Sequence, residues 1–357
     1  MNHAKTREAA RKGMDLLLTR STINGPPTNL GFLASIMRDE RFIAGNTWTS
    51  FLDTFEYTPA AIDVISGGAY TLVQDLIGRP SVGKGIPHSG AMDPVALSIG
   101  NMLVGNDRST EGLEVTLSGP ELRFLGPAVI ALTGAPMEFK LDGQDIPMWT
   151  RKHVKAGQRV KIGKTTGGGC RAYLAVHGGF TNVADYFGSK STSPLVALGG
   201  YQGRALAPGD LLEIKRDIAS NLGGHPSIPE HLRPSYPEKW ELMAMPGPHE
   251  EGYFTPEDID MLYNNDFKVS HNASRSGIRL VPAKTPQWAR KDGGEGGSHP
   301  SNLVEFGYPL GTLNWTGDDP CLFPVSAKTN AWQSHGGVRL HDLSKLALRH
   351  SPLANTL

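Results

Sequence analysis

The 357-residue chain has only two cysteines, Cys170 and Cys321, too few for a disulfide framework. Neither lies in a Cys-x-x-Cys pair or close to a histidine at metal-ligand spacing. No zinc site is expected, and a reducing compartment fits. Net charge is missing too, since 35 Lys and Arg balance 35 Asp and Glu. The chain therefore lacks the electrostatic pull toward nucleic acid or anionic membrane that a basic protein has. The longest apolar runs, such as Ala128 to Thr133, fall far short of the roughly 20 residues of a membrane helix. His-x-x-x-His, His-Glu-x-x-His and Gly-x-Ser-x-Gly are all absent, which leaves a metal site without support and removes the simplest esterase reading. Small molecules or protein partners remain, with no nucleic acid and no membrane among the expected ligands.

What the chain has in excess is turn-forming residues. Its 43 glycines and 26 prolines exceed the ordinary shares of roughly 7 and 5 per cent, which implies many tight turns and many short strands. Lys5, Arg7, Arg11 and Lys12 resemble a transit peptide, but Glu8 and Asp15 interrupt them, so Lys5 to Thr19 reads as a surface helix. Gly25, Pro26 and Pro27 then make a turn, and Thr28 or Asn29 caps a second helix through Met37. "RDERFIAGNTWTSFLD" reads as a loop followed by a short segment.

From Ala61 the texture changes to short apolar or alternating runs bounded by Gly and Pro, such as "AIDVISGG", "ELRFLGPAVIALTG" and "CRAYLAVHGG". That spacing predicts antiparallel sandwich or barrel structure. One helix interrupts it, "MDPVALSIGNMLVGN", with Pro94 in its first turn and Gly105 past its end. A proline-rich connector at 226–237 precedes a second region, which holds the helix "TPEDIDMLYNND" capped by Thr255 and a long polar loop from Lys284 to Pro300.

"VKIGKTTGGG" contains Gly-Lys-Thr, yet five residues separate Gly157 from Gly163 where a phosphate loop has four. The next element is a strand instead of a helix, so a glycine-rich hairpin turn is expected. "GRPSVGKGIPHSGAMDP" is a polar loop ending at a helix N-terminus, where backbone N–H groups can hold a carboxylate or bicarbonate. Equally, Ser89 or Asp93 only caps the helix and His88 sits on the surface. "GGYQGR" sets Tyr201, Gln202 and Arg204 between glycines that allow a close ligand approach, or forms a structural turn. Arg275 and Arg279 in "SRSGIRL" can clamp a carboxylate, or can be solvated or salt-bridged.

Taken together, "GRPSVGKGIPHSGAMDPVALSIGNMLVGN", "GLEVTLSGPELRFLG", "GGGCRAYLAVHGGF", "GSKSTSP" and "GGYQGRALAPGD" resemble the first half of the carboxyltransferase domain of urea carboxylases and urea amidolyases. This half is also known as the allophanate hydrolase subunit 2 or KipA-like family. Upstream, "INGPPTNLGFLASIMRDERFIAGNTWTSFL" resembles the end of a biotin carboxylase domain. Four segments are implied by the resemblance: 1–56 from biotin carboxylase, 57–225 and 226–326 as two carboxyltransferase subdomains with the second incomplete, and 327–357 as an unmatched tail. "LHDLSKLALRH" in that tail can form a short amphipathic helix.

The resemblance implies a mainly β fold with a few helices, in two β-rich subdomains, one of them a cyclophilin-like barrel. It implies part of a ligase that moves a carboxyl group from biotin, carried on a separate domain, to urea, giving allophanate. ATP is used only in the biotin carboxylase core, which this chain lacks. Partners are then the second carboxyltransferase half and the carrier and carboxylase domains, in the cytoplasm, and the chain is expected to be inactive alone. A KipA-like regulatory subunit, or a carboxyltransferase for another amide such as 5-oxoproline, are the alternatives. For urea, with four N–H donors and one acceptor, Asp93 and Gln202 are candidate acceptors, and His88, Tyr201, Arg204 and Arg275 candidate donors. Asp93, Gln202 and Arg204 are the candidate catalytic residues; His88, Ser89, Tyr201, Arg275 and Arg279 are candidates for substrate binding.

Overall fold

The computed structural model describes residues 2–21, 28–76, 78–80, 85–215, 222–304, 307, 311–323 and 337–342. The expected turn at Gly25, Pro26 and Pro27 lies outside them. The chain divides into two units, the first made of Met1–Gly134, Glu138–Lys164 and Ala172–Arg233, the second of Ala135–Met137, Thr165–Arg171 and Pro234–Leu357.

Unit one opens with three helices, α1 (Arg7–Arg20), α2 (Leu30–Arg38) and α3 (Glu40–Ala44). Asn29 stands at the start of α2 but makes no side-chain cap. The stretch read as a loop after Met37 becomes α3, because Asp39 both ends α2 and caps α3 by accepting from the Arg41 and Phe42 amides. Arg11 ties α1 to α2 through the Met37 carbonyl, and Arg38 pairs with Asp15.

The rest of unit one is β1 (Ala61–Ser66), β2 (Tyr70–Gln74), helix α4 (Pro94–Leu103), β3 (Gly112–Thr116), β4 (Glu121–Phe124), β5 (Ala128–Gly134), β6 (Met137–Leu141), β7 (Gln144–Asp145), β8 (Lys152–Val154), β9 (Arg159–Thr165), β10 (Arg171–Val176) and β11 (Leu211–Glu213). They form two sheets, ordered β11-β1-β4-β9-β6-β7 and β2-β3-β10-β5-β8. Every residue of β5 and β10 is buried, as a continuous apolar run requires. The helix α4 covers the second sheet, with Leu103 and Val104 packed on Val129, Ala131 and Ala175. Thr133 on β5 donates to the Ala96 carbonyl at 2.7 Å.

β9 and β10 belong to different sheets, so the "TTGGG" connection is a crossing between layers and not a hairpin. Its glycines serve close packing: a Cβ at Gly168 would collide with the Tyr236 and Pro237 backbone of the same unit.

Unit two contains β12 (Lys239–Ala244), α5 (Pro256–Asn264), β13 (Asp266–Val269), β14 (Ile278–Val281), β15 (Leu313–Thr316), β16 (Asp319–Leu322) and β17 (Gly337–Asp342). Its sheet runs β12-β17-β13-β14-β16-β15. Tyr263, Phe267, Ile278, Leu280, Leu322 and Leu340 make its core. Leu340 to Asp342, read as the start of an amphipathic helix, are the end of β17, because Leu340 fills that core and the strand pairs with β12 and β13. The mainly β class with a few helices is therefore the observed one, and among the described residues no helix is long and apolar enough to cross a membrane.

Thr255 and Asp258 form a reciprocal capping box on α5. Burial raises the Asp258 pKa, but amide donors from Gln287, Thr255 and Trp288 outweigh it and leave the pKa below its ordinary 3.8. A carboxylate lowered in the folded state stabilises fully above its unfolded pKa and loses that contribution as pH falls through the folded value. Thr255→Ala is expected to cost about 1 kcal/mol in urea unfolding. Asp258→Asn should flatten the loss of stability below pH 3.8; an unchanged acid limb in both proteins would exclude the role given to Asp258.

Candidate functional site

Two loops of unit one meet at the end of β2, and three polar side chains join them. Gln74 is fully buried; its amide nitrogen donates to the Thr192 carbonyl at 2.9 Å, and its oxygen accepts from the Gly90 amide at 3.0 Å. Asp75 is partly buried and accepts from four donors. Gly78 N and Ser191 Oγ reach one oxygen at 2.9 and 2.6 Å, and Ser189 Oγ and Lys190 N reach the other at 2.7 Å each. Arg79 runs back beneath the second loop, Nε donating to the Tyr186 carbonyl at 3.0 Å and Nη2 to the Ser191 carbonyl at 2.5 Å.

Beside this joint lies a second buried network. Tyr173 on β10 donates its hydroxyl to Glu114 on β3 at 2.8 Å, and the same carboxylate oxygen accepts from the Met92 amide at 2.9 Å. The Asp93 amide donates to the Tyr173 hydroxyl at 2.7 Å. The carboxylate of Asp93 caps α4 through the Ala96 amide. The start of α4 is thus fixed from the sheet below.

The second loop carries a relay of its own. Asp210 grips Arg204 with both oxygens, at 2.7 and 2.8 Å, and Arg204 Nη2 donates to Gln202 Oε1 at 2.8 Å. The side-chain oxygen of exposed Gln202 is thus engaged by Arg204. The Asp210 contact raises the Arg204 pKa, so the ion stays charged. Ser89 and Gln202 both sit at positive φ, 58° and 55°, a strain that persists where neighbouring contacts over-determine the backbone.

Residues 84–349 match the family model described as carboxyltransferase domain, subdomain A and B. The chain belongs to that family. Residues 1–54 match a second model, the biotin carboxylase C-terminal domain. The carboxyltransferase match passes Ala327 and includes β17.

A putative urea carboxylase of Emericella nidulans is 59% identical over 370 residues, an alignment that takes in 100% of this chain and 29% of that protein. A 5-oxoprolinase subunit of Escherichia coli is 38% identical over 226 residues, 61% of this chain and 68% of that one. Among solved structures, the Kluyveromyces lactis urea carboxylase superposes with a TM-score of 0.84 at 34% identity, over 98% of this chain and 33% of that chain. The chain therefore spans less than a third of the Emericella carboxylase and about a third of the Kluyveromyces chain.

Within this carboxyltransferase fold the candidate residues fall into separate groups. His88 is exposed, its ring 3.1 Å from the Ser89 carbonyl, and Ser89 and buried Asp93 come after it on the same loop. Tyr201, Gln202 and Arg204 form the second group, with the Tyr201 hydroxyl accepting from the Leu211 amide at 3.3 Å. Arg275 and Arg279 belong to unit two, where Arg279 donates to Thr316 at 3.0 Å and lies 3.9 Å from Asp319. The residues that bind the first two loops together, Gln74, Asp75 and Arg79, escaped the sequence reading. The one local signal was a strand ending in Gln-Asp immediately before a Gly-Arg loop.

Among the described residues no group of three His, Cys, Asp or Glu can hold a metal ion. Asp75→Asn replaces half of an acceptor that four donors share. A loss of about 2–3 kcal/mol in denaturant unfolding is expected, from hydrogen bonds to a charged group. The amides of Gly78 and Lys190 should lose hydrogen-exchange protection first; unchanged protection there would show that the joint does not depend on this carboxylate.

Proposed function

We propose that this chain is the A and B part of the carboxyltransferase of a cytoplasmic, biotin-dependent urea carboxylase, which carboxylates urea to allophanate. One observation carries this reading: a single chain holds a biotin carboxylase C-terminal segment at 1–54 followed by the carboxyltransferase match at 84–349. The order suits a multidomain carboxylase. On this reading the partners are the biotin carboxylase core, the carrier domain that brings biotin, and the second carboxyltransferase half. ATP is used in the carboxylase core.

The donor set fits a carboxylated ureido ring, because the exposed His88 ring, the Tyr201 hydroxyl and the Gln202 amide are polar groups reachable from solvent or partly so. Biotin, when bound, supplies an activated carboxyl group. The chain itself must hold urea beside that group, polarise a carbonyl oxygen and keep water out. Gln202 is assigned to donate to the urea oxygen, with Arg204, which holds its side-chain oxygen, and Asp210, which grips Arg204, as its positioning residues. Asp93, held at the start of α4, is the carboxylate proposed to accept a urea N–H. Arg275 and Arg279, on unit two, are proposed as a separate carboxylate-binding pair.

A second reading has one observation in its favour, the 38% identity to a 5-oxoprolinase subunit. There a cyclic amide would replace urea.

The test uses the full-length enzyme, with ATP turnover measured as a function of urea and of 5-oxoproline. Urea-dependent turnover is expected. Gln202→Ala should lower allophanate formation by roughly tenfold, the worth of one neutral hydrogen bond, with biotin carboxylation in the absence of urea unchanged. Turnover with 5-oxoproline and none with urea would transfer the assignment to the second reading.

A further inference from the structure

The polar loop from Lys284 to Pro300 takes no part in the site described above, yet its end brings a serine, a histidine and an aspartate together. Ser301 Oγ lies 2.9 Å from His299 Nδ1, and His299 Nε2 lies 3.4 Å from Asp318 Oδ1. The Ser301 amide also points at Nδ1, at 3.1 Å. A backbone N–H can only donate, so Nδ1 carries the lone pair and the ring proton sits on Nε2, facing Asp318. The Ser301 hydroxyl is then a second donor to Nδ1. Nucleophile, base and orienting carboxylate stand in the relation that defines such sites by role instead of by position in the chain.

Neighbouring groups hold the arrangement from both sides. Arg290 donates through Nε to the Pro300 carbonyl at 2.6 Å and through Nη2 to the Asn302 carbonyl, and its guanidinium lies 4.0 Å from the centre of the Tyr253 ring. Trp288 Nε1 donates to Asp318 Oδ1 at 3.3 Å. The Gly317 amide donates to Ser301 Oγ at 2.9 Å, where it meets the negative charge that develops as the hydroxyl proton leaves. All of these residues belong to unit two. The side chains of His299 and Asp318 are 37% and 48% exposed and Ser301 is partly exposed, so the cluster is open to solvent. Beside it stands a partly exposed aromatic group. The Trp288 ring is 5.8 Å from that of His299, 4.9 Å from Phe254 and 5.7 Å from Trp315, centre to centre.

We propose that Ser301 is a nucleophile that takes the acyl group of small aryl esters, with His299 as its general base. In that step the bond from Oγ to the carbonyl carbon forms and the bond from that carbon to the aryl oxygen breaks. The hydroxyl proton passes to His299 Nδ1 and from there to the departing phenolate. Asp318 stabilises the imidazolium in between, and Trp288 keeps Asp318 in place. An ester on Ser301 and a free phenol are the products, and no further reactant is needed. The aromatic group offers apolar surface for the ring of the ester. The inference is independent of the urea reading, since it uses none of the residues assigned to that reaction.

The experiment treats the full chain with p-nitrophenyl acetate, quenches samples in acid at intervals and maps the acetyl groups by peptide mass spectrometry. The same chain in denaturant is the reference. Acetylation of Ser301 is expected to be roughly hundredfold faster in the folded chain, the low end of what a positioned general base contributes. His299→Gln, with its fold verified by near-ultraviolet circular dichroism, should bring the rate down to that of the unfolded chain, and Asp318→Asn should slow it at an unchanged fold. Lysines take acetyl groups too, so the peptide map decides and not the release of p-nitrophenolate. A map without acetyl on Ser301, or equal rates there in the folded and unfolded chain, overturns the proposal whatever the variants do, because both are read on the wild-type protein. So does a folded His299→Gln chain acetylated at Ser301 as fast as wild type; the cluster then serves only to fasten the turn between β15 and β16 to the loop.

Discussion

The candidate site depends on four hydrogen bonds that converge on the Asp75 carboxylate. β2 ends just before it, and these bonds add to the backbone hydrogen bonds by which Thr192 and Ala91 of the two loops reach the Val73 and Asp75 carbonyls. A carboxylate has enough lone pairs to accept from both loops at once, and hydrogen bonds to an ionised acceptor are the stronger kind. Gln74 repeats the arrangement one residue earlier with a neutral amide. Together they convert two irregular segments into a single polar surface mounted on a rigid sheet, the usual way in which a scaffold positions loops that act.

The two networks differ in what they fix. Glu114 and Tyr173 project from neighbouring strands of the same sheet and reach up to the helix start, so Asp93 is located by elements that are themselves buried. Gln202 is located from within its own loop, by Arg204 and Asp210. Asp93 therefore has little freedom to move relative to the sheet, while Gln202 moves with the segment that carries it. That division suits a reaction in which one group must stay in place while another reactant arrives and leaves.

Much of this was legible in the sequence where the signal was local. Short apolar runs punctuated by glycine and proline gave the mainly β class; Pro94 and Gly105 bracketed α4, and Thr255 marked the start of α5. The joint was not legible, because Gln74 and Asp75 find their partners 118 and 116 residues away, and local pattern carries no information about such contacts. Proximity in sequence also misled: β9 and β10 are consecutive and joined by glycines, yet each pairs with strands of a different sheet. Asp39 was readable as a cap but stood inside a polar run, which hid α3. At Gln202 no local pattern shows that the side-chain oxygen is engaged by Arg204, two residues on.

In unit two the order of the strands has a consequence for biosynthesis. β12 pairs in parallel with β17, Lys239 opposite Gly337, and β17 stands between β12 and β13. Closing so long a loop carries an entropic cost that the hairpin pairing of β15 with β16 does not. A ribosome that has released β12 must therefore synthesise nearly everything up to β17 before that strand has its neighbour. Until then β12 presents an open row of amides and carbonyls on which another strand can pair.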